Sequence, residues 1–444
     1  ILTVSLLVLS VIAVIGVLAA RLIAEFYAGR LEGPDRQLQQ DAVTFLLRLF
    51  IPQVVLYGVY FVGAGIMNAH RRFGPQMWTP IVNNLVLIAV LLWFHQAYGS
   101  VTLRTVTDTQ LLVIGLGTTA SVAPMGVMLL PYLRRLGRFR PTIRLRHPAM
   151  RKLGRLAVFA IGFVMANQVG YIVIQWLANR QQGAYSAYVS AFTFFLMPVG
   201  LFVWSITTAL VPSLSQHATH ERWDEFREQL LIGIRATIFV MLPAALGYLI
   251  LGEIIVKLLM QHGITTAFST RLVADVLRFF VLGLVQFSIF QLLVRAFYSM
   301  QDARTPFWVN CAVTGVNVAL AIPLFAGFGV RGIAGAQAIA NTVGMIVLGV
   351  LASRRVAGLG AATLARALSR IAVAAVGMTA VVGTAFWVLG RVDLEGFIAE
   401  FAGLTLVIVM GGLSYLGFAH LARVGELDYV RNILRPAGRP VPGS

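Results

Sequence analysis

The chain has 444 residues, of which 58% are hydrophobic and 12% charged, and a formal net charge of +18. A chain this apolar cannot keep most of its surface in water, and its arginines fall between apolar stretches instead of on one face of a soluble domain, which excludes a nucleic-acid-binding module. The single cysteine, Cys311, excludes an intrachain disulfide framework and a thiolate metal site.

A hydrocarbon core about 30 Å thick is crossed by roughly 20 apolar helical residues. Twelve stretches meet that length: Ile1 to Tyr27, Phe45 to Asn68, Met77 to Tyr98, Gln110 to Leu133, Leu156 to Leu177, Tyr185 to Leu210, Leu230 to Leu251, Leu272 to Tyr298, Phe307 to Phe328, Ile333 to Leu351, Ile371 to Leu389 and Phe397 to Phe418. The first is too long for a signal-peptide core and has no basic region before it. None alternates with period two as a transmembrane barrel strand does, so the expected class is an all-α integral membrane protein.

The even-numbered loops and the C-terminal tail carry 22 Lys and Arg, the odd-numbered loops 8. Basic loops stay on the cytoplasmic side, which predicts a multi-pass inner-membrane protein with both termini in the cytoplasm. The densest run, Arg134 to Arg155, holds nine basic residues and no acid. It reads as a topology anchor in contact with anionic lipid and as a linker between halves.

Two turns look alike. One joins the second and third spans: Asn68-Ala69-His70-Arg71-Arg72-Phe73, then Thr79-Pro80 and Asn83-Asn84. The other joins the eighth and ninth: Arg295-Ala296-Phe297-Tyr298, then Asp302-Ala303-Arg304-Thr305-Pro306, with Asn310 and Asn317 following. Each is a long helix, a short basic turn, a proline placed at a helix start and an Asn-bearing helix. A parallel repeat in this register pairs spans one to four with seven to ten and leaves five and six without partners, so a complete duplicated protein is expected to carry two more helices ahead of Ile1.

Side chains three, four or seven residues apart share a helix face, and several spans carry polar stripes at that spacing. Span five has Asn167, Gln168, Tyr171 and Gln175; span six Ser186, Ser190 and Thr193; span eight Ser288, Gln291 and Arg295; span nine Asn310, Thr314 and Asn317. They can converge on a wet polar cavity, or they can be the small contacts and modest hydrogen bonds that join packed membrane helices. Arg295 stands apart, because an arginine near the end of a span must pair, snorkel or meet water. Arg21, Glu25 and Arg48 read as interfacial anchors. His217 to Gln229, with Trp223 and Phe226, reads as an amphipathic surface helix, and His217 with His220 lacks the further ligands of a zinc site. No phosphate loop is present, so ATP hydrolysis by this chain is not expected.

With these motifs, and with Pro198-x-Gly200-Leu201-Phe202 leading to Ala209-Leu210-x-Pro212-x-Leu214-Ser215, the sequence resembles the MurJ (MviN) family of lipid II flippases, in its actinobacterial form, within the superfamily of multidrug and polysaccharide exporters. The resemblance implies a fourteen-helix fold of two six-helix lobes around a cavity, plus a final helix pair forming a lipid groove. Residues 1–133 would then be the remainder of the N-lobe, 134–155 the basic cytoplasmic linker, 156–353 the C-lobe, 354–424 the terminal groove pair and 425–444 a cytoplasmic tail or linker.

The resemblance further implies translocation of undecaprenyl- or decaprenyl-linked lipid II for peptidoglycan synthesis and cell shape. A longer protein would add a cytoplasmic kinase-like domain and a phosphopeptide-binding regulator. Substrate-cavity candidates are Arg295, Asn68, Asn84, Asn167, Gln168, Thr193, Gln291, Asn310 and Asn317. Thr193 stands where many relatives have an arginine, and the family's best-known cavity arginines would lie largely in helices ahead of Ile1. No cofactor or metal is expected; membrane potential or an ion gradient would drive transport. Some relatives bind sodium through acidic and Asn residues in the helices matching spans five and nine, but this chain offers Asn167 and Asn317 without a clear carboxylate. The alternatives are a drug or polysaccharide exporter of the same superfamily, or a membrane enzyme acting on polyprenyl phosphates. An enzyme would need paired acids or a nucleophile–base set at a membrane face, and the 17 acids are scattered.

Overall fold

The computed structural model describes residues 2–28, 35–70, 74–99, 101–102, 104–136, 148–181, 183–261, 267–356, 358, 360–391, 396–425 and 427. The turn residues Arg71, Arg72 and Phe73, half of the basic linker (137–147) and nearly all of the tail lie outside them. Every regular element among the described residues is helical. Backbone N–H and C=O groups have no water partners in hydrocarbon, and a helix satisfies them within one segment.

The chain divides into two compact units, residues 1–152 and 153–444. The first contains α1 (Leu2–Leu18), α2 (Ala20–Ala28), α3 (Asp35–Phe50), α4 (Gln53–Ala69), α5 (Gly74–Tyr98), α6 (Asp108–Val127) and α7 (Leu130–Leu136). Helix α6 opens on a reciprocal cap: Thr107 accepts from the Gln110 N–H, and the Gln110 side chain accepts from the Thr107 N–H. It packs against α3, α4 and α5. Gln53 on α4 donates to the Thr119 hydroxyl at 2.9 Å, which donates to the Leu49 carbonyl at 2.7 Å.

The second unit contains α8 (Pro148–Ala178, whose first turn precedes the division), α9 (Ala184–Pro198), α10 (Trp204–Thr219), α11 (Trp223–Met260), α12 (Ala267–Val281), α13 (Leu284–Ser299), α14 (Arg304–Phe328), α15 (Val330–Arg355), α16 (Ala361–Leu389) and α17 (Phe397–Leu421). A five-residue π turn, Val199–Val203, follows Pro198 and joins α9 to α10. The terminal pair shares a core with α11: Ile371, Ala374 and Ala375 of α16 and Val407 and Tyr415 of α17 are buried with Ile234, Ile238 and Phe239. Lys257 of α11 also pairs with both carboxylate oxygens of Glu400 on α17, at 2.9 and 3.0 Å.

Ten described helices are long and apolar enough to cross a membrane, and an eleventh span is formed if the bent pair Phe268–Val281 and Leu284–Ser299 counts as one. The described residues thus show ten or eleven such spans where the sequence predicts about twelve. The first expected span is divided at Ala19 between α1 and α2, and Arg21 and Glu25 pair across one turn of α2. The eighth bends by 55° at Leu282 and Gly283. A Cβ on Gly283 would lie 2.7 Å from the Ala338 Cα, so only glycine lets the bent chain approach α15 this closely. The expected surface helix at His217 to Gln229 is divided between the end of α10 and the start of the 38-residue α11, where Phe226 and Leu230 are fully buried.

Three prolines inside helices follow one rule. Proline has no N–H for the carbonyl four residues earlier, and in each case a tyrosine from another helix supplies the donor. Pro80 frees the Gln76 carbonyl, which accepts from Tyr60 at 3.1 Å; Pro198 frees that of Phe194, which accepts from Tyr248 at 3.0 Å; Pro243 frees that of Phe239, which accepts from Tyr415 at 2.7 Å. Pro80 thus sits inside α5 and not at its start, whereas Pro306 is the third residue of α14, in the first turn where proline costs no hydrogen bond.

Candidate substrate cavity

Helices α8, α9, α13, α14 and α15 enclose a cavity of about 330 Å³ within the second unit. Asn167, Gln168, Gly170 and Tyr171 line it from α8; Tyr188 and Phe192 from α9; Phe287, Phe290 and Gln291 from α13; Asn310, Thr314 and Asn317 from α14; Gln337 and Asn341 from α15. The three- and four-residue spacing on each helix turns these side chains to one side. Helix α8 comes close to α14 at Gly170, where a Cβ would lie 2.7 Å from the Thr314 methyl. A larger residue there would push the amides of α8 outward.

The cavity's polar wall is an ordered amide relay. Asn317 donates through Nδ2 to Oε1 of Gln337 at 2.6 Å, and Gln337 donates through Nε2 to Oδ1 of Asn341 at 3.2 Å. Asn310 donates to the Phe163 carbonyl at 3.4 Å, and the hydroxyls of Tyr171 and Tyr185 lie 2.6 Å apart. Asn310, Asn317 and Asn341 are only 3 to 4% exposed, so each unmet polar atom there carries its full desolvation cost. Oδ1 of Asn317 is such an atom: it is buried and has no hydrogen-bond partner. No charged side chain is among the described residues lining the cavity.

Five of the nine residues expected from sequence, Asn167, Gln168, Gln291, Asn310 and Asn317, therefore meet in one cavity. Thr193 does not: it is exposed on α9, and its hydroxyl turns back to the Val189 carbonyl at 2.9 Å, a self-satisfying habit of threonine in a helix. Arg295 is exposed and lies outside the lining, one turn beyond Gln291 on α13. Asn68 and Asn84 are exposed residues of the first unit; Asn68 accepts a hydrogen bond from Gln76 and has a local role at the α4–α5 turn. Sequence reasoning missed Gln337 and Asn341, although two amides four residues apart in an apolar helix carry the same signal as those on α8 and α14.

The oxygens that the cavity presents are neutral, and two of the three relay carbonyls already accept amide hydrogens. Among the described residues no three His, Cys, Asp or Glu gather as metal ligands.

At the α13–α14 turn, Asp302 accepts from the Arg304 and Thr305 N–H groups at 3.0 Å each and from the Thr305 hydroxyl at 2.7 Å, and pairs with Arg355 of α15 at 2.6 Å. Burial alone would raise its pKa, but these donors and the guanidinium outweigh burial and hold the carboxyl below the usual range.

The family model described as "Lipid II flippase MurJ" matches residues 1–407. The chain belongs to the MurJ family. It is 28% identical over 335 residues to the "Probable lipid II flippase MurJ" of Rhizobium meliloti (strain 1021), covering 73% of this chain and 61% of that protein. It is 25% identical over 403 residues to the protein of the same description from Thermotoga maritima, covering 90% and 75%. The chain thus spans about three fifths of the first relative's length. Among solved structures, "Lipid II flippase MurJ, inward closed conformation" superposes with a TM-score of 0.70 at 20% identity, covering 97% of this chain and 82% of that one. A structure described as "MATE in the bent conformation" gives 0.64 at 14% identity, covering 82% and 78%. At such identities the structural likeness establishes the fold alone, that of a multi-pass helical membrane protein.

Proposed function

We propose that this chain works in a flippase that carries a lipid-linked peptidoglycan precursor, lipid II, from the inner to the outer leaflet of the cytoplasmic membrane by alternating access. The observation that carries the reading is the family match over residues 1–407. It is supported by an amide-lined cavity inside a bundle whose remaining faces suit lipid, because a polar head needs a polar path while its polyprenyl tail can stay in hydrocarbon. The function is transport rather than catalysis.

In this reading the basic loops and both termini of the chain face the cytoplasm. The amides of the cavity contact the head group, and Arg295, four residues beyond Gln291 on the same helix face, meets its pyrophosphate. Membrane potential or an ion gradient supplies the drive. The reading also includes the kinase-like domain and phosphopeptide-binding regulator implied by the family resemblance for a longer protein.

The test is conditional depletion of the full-length protein with lipid II measured in each leaflet. Accumulation in the inner leaflet and loss from the outer is expected; an unchanged distribution at full depletion rejects the proposal.

A further inference from the structure

We infer that the cavity of the second unit is a subsite for a neutral sugar ring bearing hydroxyl and acetamido groups, with the adjoining pyrophosphate held outside it toward Arg295. The inference rests on the lipid II reading above and assigns one part of that substrate to one group of side chains. The cavity's chemistry is amide and aromatic, without a charged side chain among the described residues lining it. Amides pair with hydroxyl and acetamido groups, which both donate and accept, while Phe192 and Phe287, only partly buried, add apolar lining that suits the C–H face of a pyranose.

The relay has a direction. Each hydrogen bond runs from Asn317 through Gln337 to Asn341, which leaves Oδ1 of Asn317 as a buried acceptor that needs a donor. A sugar hydroxyl or an acetamido N–H supplies one; the ionised pyrophosphate diester of the substrate, with acceptor oxygens only, does not. The volume of about 330 Å³ admits one pyranose ring and is too small for a disaccharide with its peptide. Arg295 lies four residues, about 6 Å of helix rise, beyond Gln291 on the same face. That is the spacing needed when the charged group adjoins the ring.

Binding of undecaprenyl pyrophosphate and of lipid II to the full chain in nanodiscs, followed by native mass spectrometry, tests the assignment. The wild type is expected to prefer lipid II by about tenfold, the worth of one or two well-made neutral hydrogen bonds. Gln168→Leu, at an exposed position of the cavity, and Asn317→Leu should remove that preference and leave undecaprenyl pyrophosphate binding unchanged, whereas Arg295→Ala should weaken both lipids alike. If the cavity variants weaken both lipids equally, the subsite assignment is overturned while the lipid II reading stands. If the wild type binds neither lipid, both fail. A thermal shift produced by sodium chloride but not by potassium chloride, and abolished by Asn317→Leu, gives the cavity to a cation and overturns the sugar assignment.

Discussion

The hydroxyl of Tyr415 donates a 2.7 Å hydrogen bond to the carbonyl of Phe239, 176 residues earlier in the chain. Pro243 has left that carbonyl without its helical donor, so the final helix is tied to α11 at the point where α11 is weakest. Tyr415→Phe is expected to destabilise the protein by about 1–3 kcal/mol, the cost of stranding a buried carbonyl. In a Pro243→Ala background the same change should cost much less, because the helix then satisfies Phe239 itself. Thermal unfolding of the four proteins in detergent gives the coupling, and additive losses would refute the pairing.

Gly170 and Thr314 set the spacing of α8 and α14. Gly170→Val should lower stability by about 1–3 kcal/mol through overpacking, and Thr314→Ala should recover part of that loss. The unfolding midpoint is the readout; no recovery would mean that the contact is not limiting.

The amide relay predicts non-additivity. Gln337→Leu leaves Asn317 and Asn341 without their partner and should cost about 1–3 kcal/mol. Once Asn317→Leu is present, the further loss should be smaller, and a denaturation cycle measures the difference.

Asp302 gives a pH dependence whose sign follows from its depressed pKa. Its stabilising contribution is complete above the ordinary value of 3.8 and disappears as pH falls through the lower folded value. Asp302→Asn should therefore lower stability at pH 7, by an amount on the order of 1 kcal/mol for a partly exposed pair, and the gap to wild type in thermal unfolding should close at acid pH. A gap that does not narrow as pH falls below 3.8 would contradict the assignment.

The class of fold was legible in the sequence because hydropathy over twenty residues reports directly on the solvent. The cavity was legible in part. Asn167, Gln168, Gln291, Asn310 and Asn317 announced themselves as amides at helical spacing in apolar spans, a pattern that Gln337 and Asn341 share. Thr193 lies off the cavity because spacing gives a face but not what the face meets, and a threonine can satisfy its hydroxyl on its own helix. The bend at Gly283 and the tyrosine donors at Pro80, Pro198 and Pro243 were not legible. Each depends on a second helix whose position hydropathy does not encode, and the three tyrosines lie 16, 54 and 176 residues from the carbonyls they serve.

The most direct measurement is the fraction of lipid II exposed at the outer leaflet in cells depleted of the native full-length protein and supplied with either the wild type or a protein carrying Gln168→Leu and Gln291→Leu. The account predicts that the wild type restores outer-leaflet lipid II and that the doubly substituted protein, at equal abundance, restores several-fold less. Equal restoration by both would contradict it.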